Sequence, residues 1–92
     1  MKLTVAEKKW FERLQRTLDA APKSLEKKGS NFQLSSFTIG DRDINVYDEE
    51  KLRDWQAANP RKADGDVGPM VDEAGALLLD LVFPFCIEST AG

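Results

Sequence analysis

The apolar positions of this chain change period along its length, and the changes mark out its elements. Trp10, Phe11, Leu14, Leu18 and Ala21 recur at steps of three and four, while Lys8, Lys9, Glu12, Arg13, Gln15, Arg16 and Asp19 occupy the other face. That pattern is an amphipathic helix. Its start is marked by T-V-A-E, which sets Thr4 three residues before Glu7 at capping-box spacing, and Pro22 stops it near Ala20. The basic stretch L-E-K-K-G-S-N has no apolar period and reads as a loop.

From Asn31 the period becomes two. Phe32 and Leu34 alternate with Gln33 and Ser35, then Phe37 and Ile39 with Thr38, with a slip at Ser35-Ser36 that predicts a bulged strand or two strand pieces. Ile44 and Val46 resume the alternation beyond Gly40, Asp41, Arg42 and Asp43, so Phe37 to Tyr47 reads as a hairpin. Asp48 then caps a short second helix with Glu49 and Glu50 in its first turn, ended by Asn59-Pro60 and facing inward through Leu52, Trp55 and one or both of Ala57 and Ala58. R-K-A-D-G-D-V-G-P is rich in Gly, Pro and Asp and predicts a loop. In the final segment an extended strand would put Leu77, Leu79, Leu81, Phe83 and Phe85 on one face, and Pro84 marks an edge strand or a break. S-T-A-G reads as a frayed tail.

These elements predict an α+β fold: a small antiparallel sheet of about three strands packed against the N-terminal amphipathic helix, with a second short helix. With 92 residues the chain is expected to be one small domain over 1–92. Hydrophobic residues are 41% and charged residues 32%, a globular composition. The start M-K-L-T-V-A-E-K-K-W has no apolar signal core, and the apolar run from Ala74 to Ile87 is broken by Asp80. A cytoplasmic protein that does not engage the membrane is expected. The lone Cys86, set among Phe83, Phe85 and Ile87, reads as a small buried hydrophobe.

Charge sharpens the picture. The net charge is −3, but residues 1–28 carry eight Lys/Arg against four Asp/Glu, whereas residues 64–92 carry six acids and no base. An acidic C-terminal third disfavours nucleic acid as a partner, since phosphates need a concentrated basic face. Lys8, Lys9, Arg13 and Arg16 on the first helix are interrupted by Glu12 and Asp19. Trp10 and Trp55, the largest anchors, lie on the only apolar stripe of their helices and are expected in the core.

The absence of histidine removes the commonest general base and transition-metal ligand, and Ser-His or Cys-His nucleophile pairs with it. D-G-D-V-G-P lacks the Lys-Ser/Thr of a phosphate loop. An EF-hand counted from Asp64 fails, with Gly68, Pro69 and Gly75 at positions five, six and twelve. Asp41 and Asp43 around Arg42 read as turn formers rather than an acid-base pair. No enzyme activity, cofactor or metal is expected. The residues expected to contact a partner are Asp64, Asp66, Asp72 and Glu73, with Asp41, Arg42 and Asp43 as a second patch.

The stretches W-F-E-R-L-Q-R-T-L, F-T-I-G-D-R-D-I-N-V-Y-D and I-E-S-T-A-G resemble those of small uncharacterised proteins encoded by phages and prophages of enteric bacteria. The resemblance runs loosely along most of the chain, its middle motif is the most specific, and no functional residue carries over from it. It implies a phage-encoded accessory protein in the bacterial host cytoplasm. Small, acidic, histidine-free and without a pocket motif, the chain itself reads as a non-catalytic binding protein, and as a phage accessory protein it would modulate or inhibit a host protein complex, such as a defence nuclease or nucleic-acid-handling machinery. An acidic surface would enter a basic groove by charge complementarity. Two alternatives stand beside it: a homodimeric structural or interaction protein joined through Leu77 to Ile87, and a weak nucleic-acid-binding regulator using the first helix.

Overall fold

A computed structural model describes residues 1–26, 33–63 and 65–88. In chain order its elements are α1 (Val5–Asp19), a 3-10 turn (Lys23–Leu25), β1 (Leu34–Phe37), β2 (Asp43–Asp48), α2 (Glu49–Ala58), α3 (Val67–Ala74) and β3 (Leu77–Val82). The three strands form an antiparallel sheet in the order β1-β2-β3, so β2 is central and the fold is α+β. Among the described residues no helix is long and apolar enough to cross a membrane.

The start of α1 is the capping box its sequence encodes. Glu7 N donates to Thr4 Oγ1 at 3.1 Å, and Thr4 N donates to Glu7 Oε1 at 2.7 Å. The Thr4 backbone N–H that donates to the Glu7 carboxylate, and after it the Thr4 hydroxyl, favour the ionised form and hold the Glu7 pKa below its ordinary value.

The hairpin forms as its alternation requires, with Gly40 at φ 87 in the left-handed region and its N–H donating to Thr38 Oγ1 at 3.2 Å. The bulge lies elsewhere than the serine slip suggests. β1 pairs with β2 in unbroken register from Leu34↔Asp48 to Phe37↔Asn45, because Ser36 turns to one face and Phe37 to the other. The irregularity is in β2–β3, where Val46 faces Leu79 and its neighbour Tyr47 faces Leu77. Leu77 therefore shares a face with Tyr47, and Leu79 and Leu81 lie on the opposite face with Val46 and Ile44. One strand face does not carry all five alternate apolar residues, and β3 ends at Val82, before Phe83 and Phe85.

The core is small. Tyr47, Leu52, Met70, Val71 and Ala76 are buried, with Phe37, Trp55 and Ala74 packed around them. It lies between the Tyr47 face of the sheet and the pair α2 and α3. That α3 exists is a departure from the expected loop. Pro69 stands in its first turn, where a missing N–H costs nothing, and Met70, Val71 and Ala74 supply the inward side. Gly75 at φ 64 ends it: Gly75 N donates to Asp72 O at 3.1 Å and Ala76 N to Val71 O at 3.0 Å, a Schellman closure whose expected apolar contact joins the two fully buried residues Val71 and Ala76.

α1 lies on the other face and buries none of its residues. Leu18 and Ala21 line a cleft with Leu25, Leu34 and Val46, and Phe11 stands 6.3 Å from Phe85 between ring centroids. Only Leu14 of its stripe is half-buried within the helix; Trp10, Phe11 and Leu18 are exposed. Trp10 is therefore not a core anchor: it stacks edge-on to Phe11 at 4.8 Å on an open helix face. Cys86 is likewise exposed, because beyond Pro84 the chain follows the hairpin turn rather than a covered sheet face.

Two outcomes follow from this packing. Val71→Ala should cost about 2 kcal/mol in denaturant unfolding, since it removes two buried methyls and leaves a void, whereas Val5→Ala on the exposed helix should stay within about 0.5 kcal/mol. Because the Glu7 carboxyl has a depressed folded pKa, its capping contribution is complete above the unfolded carboxylate value and disappears as pH falls through the folded one. Helical circular dichroism should therefore decline across that acidic window, and Thr4→Ala should weaken the helix already at neutral pH.

Candidate functional site

Of the residues expected to contact a partner, Asp66, Asp72 and Glu73 are brought together by α3. Asp66 precedes the first helical residue and its side chain makes no capping bond, while Asp72 and Glu73 stand on the exposed side of the helix. Burying Met70 and Val71 forces this, because a helix that turns two adjacent residues inward turns the next two outward. Asp64 lies outside the described residues.

The α3 segment separates two shallow clefts. One, of about 320 Å³, is lined by Trp55, Lys62, Gly65, Asp66, Met70 and Glu73; the other, of about 260 Å³, by Phe37, Ile39, Asn45, Gly68, Asp72 and Leu77, and Pro69 borders both. Each thus has an aromatic ring beside it and at least one carboxylate on its lining. Trp55 is half-buried, held by its place on α2 above the core, and Asn59 Nδ2 donates to its carbonyl at 2.9 Å. Lys62 Nζ approaches Glu73 Oε2 at 3.9 Å with both side chains largely exposed, a loose pair that water and salt screen.

The second patch is placed differently. Asp41, Arg42 and Asp43 form the end of the β1–β2 turn, and their backbone is in use: Phe83 N donates to Arg42 O at 2.8 Å and Ile87 N to Asp41 O at 2.7 Å. The turn clamps the segment after β3. Asp41 and Arg42 side chains are exposed and Asp43 is half-buried at the first position of β2. They belong to a different element from the α3 acids, and no ion pair or side-chain hydrogen bond among the described residues joins the two groups.

Among the described residues no group of three or more Cys, Asp or Glu side chains is arranged to hold a metal ion. The basic residues of α1 are exposed, and Arg13, Arg16, Thr17 and Ala20 border an open depression away from the acidic helix. Trp55 and Phe37, as cleft walls, were not among the residues expected to contact a partner. Trp55 on an apolar helix stripe looks like core, and only the short length of α2 hints that its ring reaches the surface.

Compared with protein-family models, with curated proteins and with solved structures, the chain matches none.

Gly68 sits in the first turn of α3, where an added methyl would meet Phe37 Cε2 at 3.4 Å, an ordinary van der Waals distance. Gly68→Ala should raise stability by about 0.5 kcal/mol through helix propensity while it narrows the Phe37 cleft. Thermal unfolding checks the sign, and a lowered midpoint would show that the ring has no room to yield.

Proposed function

We propose that this is a non-catalytic binding protein that engages a basic segment of another protein through the clefts beside α3. The observation that carries this is the half-buried Trp55 set in one cleft with the Asp66 and Glu73 carboxylates, where the chain's own Lys62 pairs with Glu73 only loosely, at 3.9 Å, and can be displaced by a partner's cation. An indole face with carboxylates around it is complementary to a lysine or arginine side chain, by cation–π attraction and by charge. Asp72 extends the acidic surface into the neighbouring cleft, beside Phe37. Aromatic groups partly open to solvent and surrounded by charge are also the residues that anchor protein interfaces.

The resemblance to phage and prophage proteins gives the partner a context: a bacterial host complex with a basic, nucleic-acid-handling groove, such as a defence nuclease, which the acidic surface would occupy and modulate or inhibit. The six acids and absent bases of residues 64–92 support such steering.

The test is capture of partners from an enteric bacterial lysate at low and moderate salt, with wild type beside a triple variant Asp66→Asn, Asp72→Asn, Glu73→Gln. A host protein retained by wild type should be released as salt rises and bind the triple variant about tenfold more weakly. Equal retention by both at low salt would remove the acidic surface from the mechanism. Trp55→Phe should weaken the same contact without altering its salt dependence.

A further inference from the structure

We infer that the exposed flank of α1 formed by Lys9, Trp10, Arg13 and Arg16 binds single-stranded nucleic acid, with the cations taking phosphates and the indole taking a base. Arg13 is the centre of the flank. It stands four residues after Lys9, three after Trp10 and three before Arg16, the spacings at which side chains are neighbours on a helix. Its remaining neighbour at such a spacing is Thr17, so no acid adjoins it along α1. Glu12 and Asp19 interrupt the basic residues in the sequence, but the helical turn carries them to the far side of Arg16, away from Trp10. Asp19 there accepts from Gln15 Nε2 at 2.9 Å. The ion pairs among the described residues are Arg53–Glu49 and Lys62–Glu73, so none of the three cations of the flank is paired with a carboxylate among them. All three are exposed, Trp10 exposes 38% of its surface, and Arg13, Arg16, Thr17 and Ala20 border an open depression of about 530 Å³.

The acidic balance of the chain is divided by the sheet. Asp66, Asp72 and Glu73 belong to α3 on the Tyr47 face, and α1 lies on the opposite face, so a polyanion that approaches the flank meets cations with the α3 acids behind them. A single strand offers both chemistries that this flank can use, phosphates for the cations and unstacked bases for the indole. In a duplex the base faces are covered by their neighbours, and Trp10 would have nothing to stack on. An anionic lipid surface fits less well, because it takes up an amphipathic helix through the apolar stripe. In α1 that stripe is turned to the sheet, where Leu18 and Ala21 line a cleft with Leu34 and Val46.

This site is independent of the α3 clefts, which lie on other elements. It is tested on the full chain by fluorescence anisotropy with a labelled oligothymidylate of about 12 nucleotides, a length within the usual reach of one small binding surface. Binding should weaken about a hundredfold between about 20 and about 200 mM salt, since three phosphate contacts on a single strand give a logarithmic slope of about −2. Arg13→Glu should weaken binding at least tenfold and flatten that slope, with the far-ultraviolet circular dichroism unchanged. Trp10→Leu should weaken it about tenfold and leave the slope as it is. The chain has two tryptophans, so Trp55→Phe leaves Trp10 as the only reporter, and its emission should be quenched as the oligonucleotide binds. The triple variant Asp66→Asn, Asp72→Asn, Glu73→Gln should bind the oligonucleotide at least as tightly as wild type, which separates this site from the α3 clefts. Absence of binding at about 20 mM salt overturns the proposal, whether or not the chain then sediments with phosphatidylglycerol vesicles. So does a duplex of the same length bound as tightly, or an affinity that neither Arg13→Glu nor Trp10→Leu reduces.

Discussion

The structure depends on one backbone junction, the hydrogen bond from Asp48 N to Ala76 O at 2.9 Å. Asp48 ends β2 and its side chain accepts from Lys51 N at 3.0 Å to begin α2, so a strand changes to a helix there within one residue. On the opposite side Glu49 N donates to Gln33 O at 3.0 Å. The corner is thus held from the β1 side and from the β3 side together. Ala76 is the residue that the Schellman closure of α3 delivers, and it is fully buried beside Val71. If that closure failed, α3 would lose its end, β3 its starting point and α2 its anchorage at the same place.

The site and the edge both follow from this junction. By drawing Met70 and Val71 into the core, α3 presents Asp72 and Glu73 to solvent and sets a shallow cleft on either side of itself. By starting β3 at Leu77 with a bulge against Val46 and Tyr47, the same closure sends Leu77 to the helix-covered face and leaves Leu79 and Leu81 on the other. The protein therefore places its few buried residues on one face of the sheet. Among the described residues the second face receives α1 and Leu25 of the 3-10 turn, and α1 rests on it lightly through its C-terminal end and through Phe11 near Phe85. With so small a core among the described residues, the chain has little stability to draw on.

Local chemistry determined a good part of this protein. The Thr4–Glu7 box and Pro22 bound α1, the Gly40 turn makes the hairpin, and Asp48 caps α2, because each is decided by bonds within a few residues. The acidic character of the C-terminal third is likewise written in composition. Tertiary structure alone decided the rest. V-G-P-M-V-D-E-A has loop chemistry at its start, and becomes α3 because burial of Met70 and Val71 outweighs the poor propensity of Gly68 and Pro69. The bulge that divides Leu77 from Leu79 is a matter of register with β2, which no spacing within β3 encodes. Periodicity shows which side of an element is apolar but not whether anything covers it, and for that reason the stripe of α1, the edge of β3 and Cys86 could be recognised in the chain while their exposure could not.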